Sequence, residues 1–400
     1  MKIERLKGTR DFDVRAMNVR RDIERRMRRV FERFGFEEIQ TPTIEPLELF
    51  LLKSGETVIN ETYNFKDKGN REICLVPERT APTIRFYVSQ LQRREKPLKL
   101  YYFENCFRYE NPQRARYREF WHIGAEVIGM NDRARTNADL IALAQKALEE
   151  IGLKTEVRIG NLDILKRALS RVANKEDIQT LMRAVDKNNI DFLEERINDK
   201  NFFSLLECKK IDDIKGFDEE KELLKKVVKY LTFYGVEAQL DLSIARGLDY
   251  YYGIVFEIDC ESLGAEKQVA GGGEYKLIEL FGGKEIGSSG FAIGFDRVID
   301  SLGKAKKEER SGVLIIPLSG SNYTYCLNVL RDLRDNGIKS EIEIYDRSLE
   351  KSLKYANSRK IRFAVIVGDK EMEKNSVTIK DLTSGEQREV EKERITGNLS

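Results

Sequence analysis

The chain has 400 residues, enough for two or three domains, and its 41% apolar composition supplies a real hydrophobic core. Lys and Arg total 70 against 68 Asp and Glu, so there is no global basic field, and any nucleic-acid surface must be local. A single histidine and five scattered cysteines argue against a zinc site; with no signal-like or membrane-length apolar run, they point to a soluble protein of the reducing cytoplasm.

Residues 7–12, Lys7-Gly8-Thr9-Arg10-Asp11-Phe12, form a polar turn ahead of a helix over 18–34. In that helix Ile23, Met27, Val30, Phe31 and Phe34 make one apolar stripe among many arginines, which reads as a solvated helix with one buried face. Gly35 ends it, and 36–41 alternates as a strand before Pro42. Residues 64–76 predict a hairpin with its tip at 68–70. It leads into Pro77-Glu78-Arg79-Thr80-Ala81-Pro82 and a helix over 83–94. The carboxylate of Glu78 and the hydroxyl of Thr80, held between two prolines, suit an ammonium group; a helix cap at Thr80 is the plainer alternative.

The stretch 101–129 predicts a long antiparallel hairpin: a strand over 101–110, a basic tip over 113–118 and a returning strand over 119–128. Period-two spacing puts Trp121, Ile123, Ala125 and Val127 on one face, and Phe120, His122, Gly124 and Glu126 on the other. Glu104, Cys106, Arg108 and Glu110 likewise share a face. Facing polar rows can floor a pocket or be the solvated side of a sheet, and spacing alone leaves both open.

A helix over 136–151 and a strand over 155–159 follow. Residues 161–215 then lack glycine and proline, which predicts a helical module reaching about Tyr234 before a strand over 236–242. Tyr250, Tyr251 and Tyr252 open another strand, for which aromatic packing is the simple account. Gly271, Gly272 and Gly273, then Gly287 and Gly290, mark a glycine-lined strand that lets a ligand approach the backbone closely. Arg297 falls in the first turn of the next helix, where free amides and the dipole favour an anion. No βαβ unit with a ribose-binding acid accompanies these glycines, which excludes a dinucleotide fold. Beyond a charged linker at 304–310, strands over 313–316, 338–344 and 363–367 alternate with helices over 323–335 and 349–359, a small α/β domain. Lys351, Lys354, Arg359, Lys360 and Arg362 cluster on and after its second helix.

Several of these strings resemble those of histidyl-tRNA synthetases, a class II aminoacyl-tRNA synthetase family. Phe107-Arg108-Tyr109-Glu110, the loop Gln113-Arg114-Ala115-Arg116-Tyr117-Arg118, Phe120 and Ile123-Gly124-Ala125-Glu126 resemble the second class II motif. The helix, strand and Pro42 look like the first motif, and Gly287 to Arg297 like the third. Arg246-Gly247-Leu248-Asp249-Tyr250-Tyr251, followed by Val255-Phe256-Glu257, resembles the histidine-binding signature. Pro77-Glu78-Arg79-Thr80 is similar to the family's Pro-Glu-Gly-Thr, departing from it at Arg79, and residues 7–12 are similar to the family's opening.

The resemblance implies an α+β fold: a class II antiparallel β-sheet catalytic core flanked by helices (1–160 and 236–303), a helical insertion (161–235), a linker (304–311) and a C-terminal α/β anticodon-binding domain (312–400). It implies histidine, ATP with Mg2+, and tRNA(His) as the molecules handled, in a homodimer. By the same resemblance, Arg108 and Arg246 are catalytic at the α-phosphate. Arg108, Glu110, Arg116, Phe120 and Arg297 hold ATP, with Phe120 stacked on adenine and Arg297 on the γ-phosphate. Glu78, Thr80, His122, Glu126, Arg246, Tyr250 and Tyr251 hold histidine, and Arg114 and Arg116 meet tRNA. The chain supplies no metal site of its own, with Glu104 or Glu110 the acids nearest Mg2+. Two rivals stand beside this reading. One is a regulatory paralogue of the histidine-pathway phosphoribosyltransferase, against which the C-terminal domain and histidine signature speak. The other is a class II synthetase for another amino acid, against which Tyr250, Tyr251 and Glu126 speak.

Overall fold

A computed structural model describes residues 3–399 apart from 55, 113–114, 175, 246–249 and 304–309. Arg114, Arg246 and most of the charged linker therefore lie outside the described residues. The chain divides into two compact units, Met1–Lys304 and Ala305–Ser400.

In chain order the strands of the first unit are β1 (Glu37–Glu38), β2 (Ile44–Pro46), β3 (Asn64–Lys66), β4 (Glu72–Leu75), β5 (Leu98–Phe107), β6 (Glu119–Ile128), β7 (Glu156–Asn161), β8 (Ala238–Leu240), β9 (Tyr251–Asp259), β10 (Gln268–Tyr275) and β11 (Ser288–Gly294). Three of them make a small antiparallel sheet in the order β2-β4-β3. The other eight make one large sheet in the order β1-β5-β6-β11-β10-β9-β7-β8. Its interior is antiparallel, while the edge strands β1 and β8 run parallel to their neighbours. The strands predicted over 36–41 and 236–242 shrink to two and three residues because each lies at an edge, where short pairing limits exposed ladder groups.

One face of this sheet is covered by helices. The helix Val14–Arg33 starts where Asp13 accepts the Ala16 N–H at 2.8 Å, and it sets Phe31 against Tyr101 and Phe291. Its arginines are not all solvated: Arg20 is buried with the apolar stripe, its charge met by Asp296 at 2.7 Å. The helix Arg133–Glu150 buries Ala138, Leu140, Ile141, Leu143, Ala144 and Leu148, because it lies between β11, Val14–Arg33 and the later helix Asp218–Phe233. The helical stretch after β7 contributes Leu165, Leu181, Leu193, Phe202 and Val227 to the same core.

The second unit is a sheet of β12 (Val313–Pro317), β13 (Ser340–Ile342), β14 (Phe363–Val367), β15 (Ser376–Asp381) and β16 (Gln387–Glu391), in the order β13-β12-β14-β15-β16. The first three strands are parallel and the last two antiparallel. Helices Tyr323–Asp335 and Leu349–Ser358 pack with it. Among the described residues no helix is long and apolar enough to cross a membrane. All five cysteines are free.

Candidate active site

A cavity of about 290 Å³ opens against the central strands of the large sheet. Glu78 reaches it from the loop after β4, Thr80 from the start of the helix that follows, Arg108 and Glu110 from beyond the end of β5, and Arg116 from the hairpin loop. Phe120 and His122 come from β6, Tyr250 and Tyr251 from the start of β9, and Arg297 from the helix after β11. Residues more than two hundred apart in sequence converge because β6 lies directly between β5 and β11, with His122 opposite both Glu104 and Gly294.

One end is cationic. Arg108 was expected on a rigid strand, but β5 stops at Phe107. Hydrogen bonds fix Arg108 instead: its N–H donates to the Arg118 carbonyl at 2.9 Å, and its Nε to the Pro77 carbonyl at 3.1 Å. Its guanidinium stands 5.2 Å from the Phe120 ring centroid, within cation–π range. Glu110 lies between Arg108 and Arg116, at 4.0 and 3.9 Å. Arg297 donates to the Gln268 carbonyl at 2.6 Å. Its helix, Phe295–Ser301, has only seven residues. The Arg297 side chain, more than the macrodipole, therefore supplies the attraction for an anion.

Beside Arg297, the buried Asp296 accepts from Arg10, from Arg20, and from the Trp121 N–H at 2.6 Å. Arg10 also lies over the Tyr117 ring, and the Tyr117 hydroxyl donates to Asp300 at 2.8 Å. The N-terminal string thus fastens the hairpin loop to the Arg297 helix. Trp121, whose spacing assigns it to the core, stacks on Phe103 and still touches the cavity.

Phenols, an imidazole and Glu78 line the same cavity. Glu78 accepts the N–H groups of Thr80 at 2.7 Å and Ala81 at 3.0 Å. The N-cap position is therefore Arg79 rather than Thr80, with the Glu78 carboxylate meeting the first amides, and the helix Thr80–Phe86 begins three residues earlier than predicted. Pro82 is tolerated there because first-turn amides need no intrahelical acceptor. Burial above all, then the charges of Arg108, Arg297 and Arg79, holds the His122 imidazole well below its usual value and neutral. Burial pushes the neighbouring Cys106 up to about 12, so it stays a thiol.

Glu126 is fully buried and is not part of the cavity wall. It accepts the Tyr275 hydroxyl at 2.8 Å and lies 3.4 Å from that of Tyr102. Burial, followed by the Glu126 charge, raises both phenols well above their ordinary range. The Tyr250 and Tyr251 rings, 4.5 Å apart, cluster around Tyr275. Glu104 is the other acid expected nearest Mg2+. It is buried in an ion pair with Arg79 at 2.6 Å and is not a lining residue. Lining residues that carry no recognisable spacing signal include Tyr102, Gln268 and Asp296; Arg79 stands out in sequence only as a departure from a pattern. Among the described residues, no three His, Cys, Asp or Glu side chains gather to hold a metal ion.

A family model described as histidyl-tRNA synthetase matches residues 8–298, and one described as anticodon binding domain matches 312–400. The chain belongs to the histidyl-tRNA synthetase family. A histidine–tRNA ligase of Methanosarcina acetivorans is 41% identical over 414 aligned positions, covering 100% of this chain and 99% of the relative. One of Archaeoglobus fulgidus is 42% identical over 410, covering 99% of each. The solved apo histidyl-tRNA synthetase of S. aureus aligns over 100% of both chains at 25% identity and a TM-score of 0.77. That of Nostoc sp. PCC 7120 shares the fold at 24% identity and a TM-score of 0.82, covering 100% of this chain and 99% of that one. The α+β architecture described above is the class II fold of histidyl-tRNA synthetases.

Proposed function

We propose that this chain activates histidine with ATP, giving histidyl-adenylate and pyrophosphate, and then passes the histidyl group to the 3′-terminal adenosine of tRNA(His). The supporting observation is that Arg108, Phe120, His122, Tyr250, Tyr251 and Arg297, drawn from separate motifs, line one cavity in a chain that matches the family over its whole length.

In the first step a histidine carboxylate oxygen attacks the α-phosphorus, and the bond from that phosphorus to the oxygen bridging to the β-phosphate breaks. Pyrophosphate departs with the bonding electrons, and no proton transfer is required. Catalysis is then orientation and charge stabilisation. Arg108, with Arg246, grips the α-phosphate, Arg297 the γ-phosphate, and Glu110 and Arg116 border the phosphates. Phe120 stacks on adenine. Glu110 is the lining acid that would border Mg2+ bound with ATP, which would supply charge neutralisation at the outer phosphates, whereas Glu104 is committed to Arg79.

Glu78, Thr80 and the neutral His122 face the substrate amino group. The imidazole lies against Tyr250 and Tyr251, with Glu126 fixing the hydroxyl pattern through Tyr102 and Tyr275. A site made of aligned phenols and a carboxylate reads both ring nitrogens and leaves buried groups unpaired with any other side chain. Arg114 and Arg116 meet tRNA from the hairpin loop, and the second unit supplies the anticodon contact. The chain works in the cytoplasm as a homodimer.

The test is amino-acid-dependent ATP–pyrophosphate exchange. Exchange with histidine and no other standard amino acid is expected. A folded protein that binds histidine without exchange would belong to the regulatory-paralogue class instead.

A further inference from the structure

Arg79 is among the largest fully buried side chains, 1% exposed. An arginine persists inside a protein only where its charge and its donors are both met. Here Nη1 lies 2.6 Å from Glu104 Oε2 and donates to the Pro42 carbonyl at 3.0 Å. Nε donates to the Asn105 carbonyl at 3.0 Å, and Nη2 also bonds Asn105. Glu104 is held in turn by the Thr41 N–H at 2.9 Å and the Thr41 hydroxyl at 3.1 Å. The Arg79 carbonyl accepts from the Thr83 hydroxyl at 2.8 Å, fixing the backbone as well. One planar fork therefore pins the loop between β4 and the helix Thr80–Phe86 to two other stretches, the end of β5 and the segment 41–42. Its immediate neighbours in sequence are Glu78 and Thr80, both lining the cavity.

We infer that Arg79, locked to Glu104, is a positioning residue that sets Glu78 and Thr80 against the amino group of the amino-acid substrate. The inference rests on the reading of those two side chains given above. Lysine at this site would keep the charge but lose the fork that reaches Glu104, Pro42 and Asn105 together. Removing only one charge would strand the other, whereas replacing both need not destabilise the fold.

The experiment uses the full chain and compares wild type, Arg79→Lys and the double variant Arg79→Met with Glu104→Gln. ATP–pyrophosphate exchange gives the KM for histidine and for ATP separately, and thermal melting reports folding. In both variants the histidine KM is expected to rise about ten-fold while the ATP KM stays within about two-fold, an effect of the size neighbouring residues exert on each other. A role confined to the fold would move melting, or both KM values together. A folded double variant with an unchanged histidine KM would overturn the inference while leaving the activity reading intact. Wild type that failed to activate histidine would overturn both.

Discussion

His122 is the only imidazole in the chain, so its protonation can be followed without interference. Burial and three arginines depress its pKa well below 6.5. A group that binds its proton more weakly when folded stabilises the fold fully above its unfolded pKa, and this contribution is lost as pH falls toward the folded value. Below about pH 6.5 wild type should lose up to about 1.4 kcal/mol per pH unit from this residue alone. Denaturant midpoints for wild type and His122→Gln should therefore run parallel above that pH and diverge below it, with wild type falling faster. Curves parallel throughout would mean that the imidazole protonates as easily folded as unfolded. Period-two spacing places His122 and Phe120 on the cavity face because β6 is a regular strand. The same spacing cannot say that the Glu126 carboxylate accepts from the Tyr275 hydroxyl, since Tyr275 lies far along the chain.

Strand pairing explains why the carboxylate fits at all. Gly290 of β11 pairs with Glu126 of β6, and a Cβ on Gly290 would lie 1.7 Å from Glu126 Oε2 and 2.6 Å from the Ala125 carbonyl. Gly290→Ala should push Glu126 toward the phenols and destabilise the fold by about 1–3 kcal/mol, the usual cost of overpacking. Histidine affinity should fall by at least about ten-fold, equivalent to about 1.4 kcal/mol, with ATP affinity retained. Calorimetric titration with each ligand checks this, and an unaltered histidine affinity would detach Glu126 from the amino-acid end. Elements with strong periodicity, such as the β5–β6 hairpin and the helix Val14–Arg33, are legible in sequence to within a few residues. β16 is not, because Gln387, Arg388, Glu389 and Glu391 surround its one apolar residue, Val390, and its order comes from pairing with β15.

The two units are built to fold on separate cores. In the second, Val313, Ile315, Val365 and Val367 share a core with Cys326, Val329 and Leu333 of one helix. Leu314, Ile316, Ala364 and Ile366 share another with Ala356 of the next. Such strands, apolar on both faces, need helices on each side and find them within the unit. The first unit's core, with the residues packed against it, draws on the chain up to Leu302. Residues 1–303 and 310–400 expressed apart should each melt cooperatively. The first fragment contains every residue assigned to adenylate formation, so it should keep histidine-dependent pyrophosphate exchange close to that of the full chain. Charging of tRNA should suffer, because a second binding module linked to the first raises its effective affinity by roughly 10²–10⁴-fold, and kcat/KM for tRNA should fall by that order. Exchange lost along with charging would mean that the first unit depends on the second for its own site. Charging unaffected by the truncation would remove the second unit from tRNA recognition.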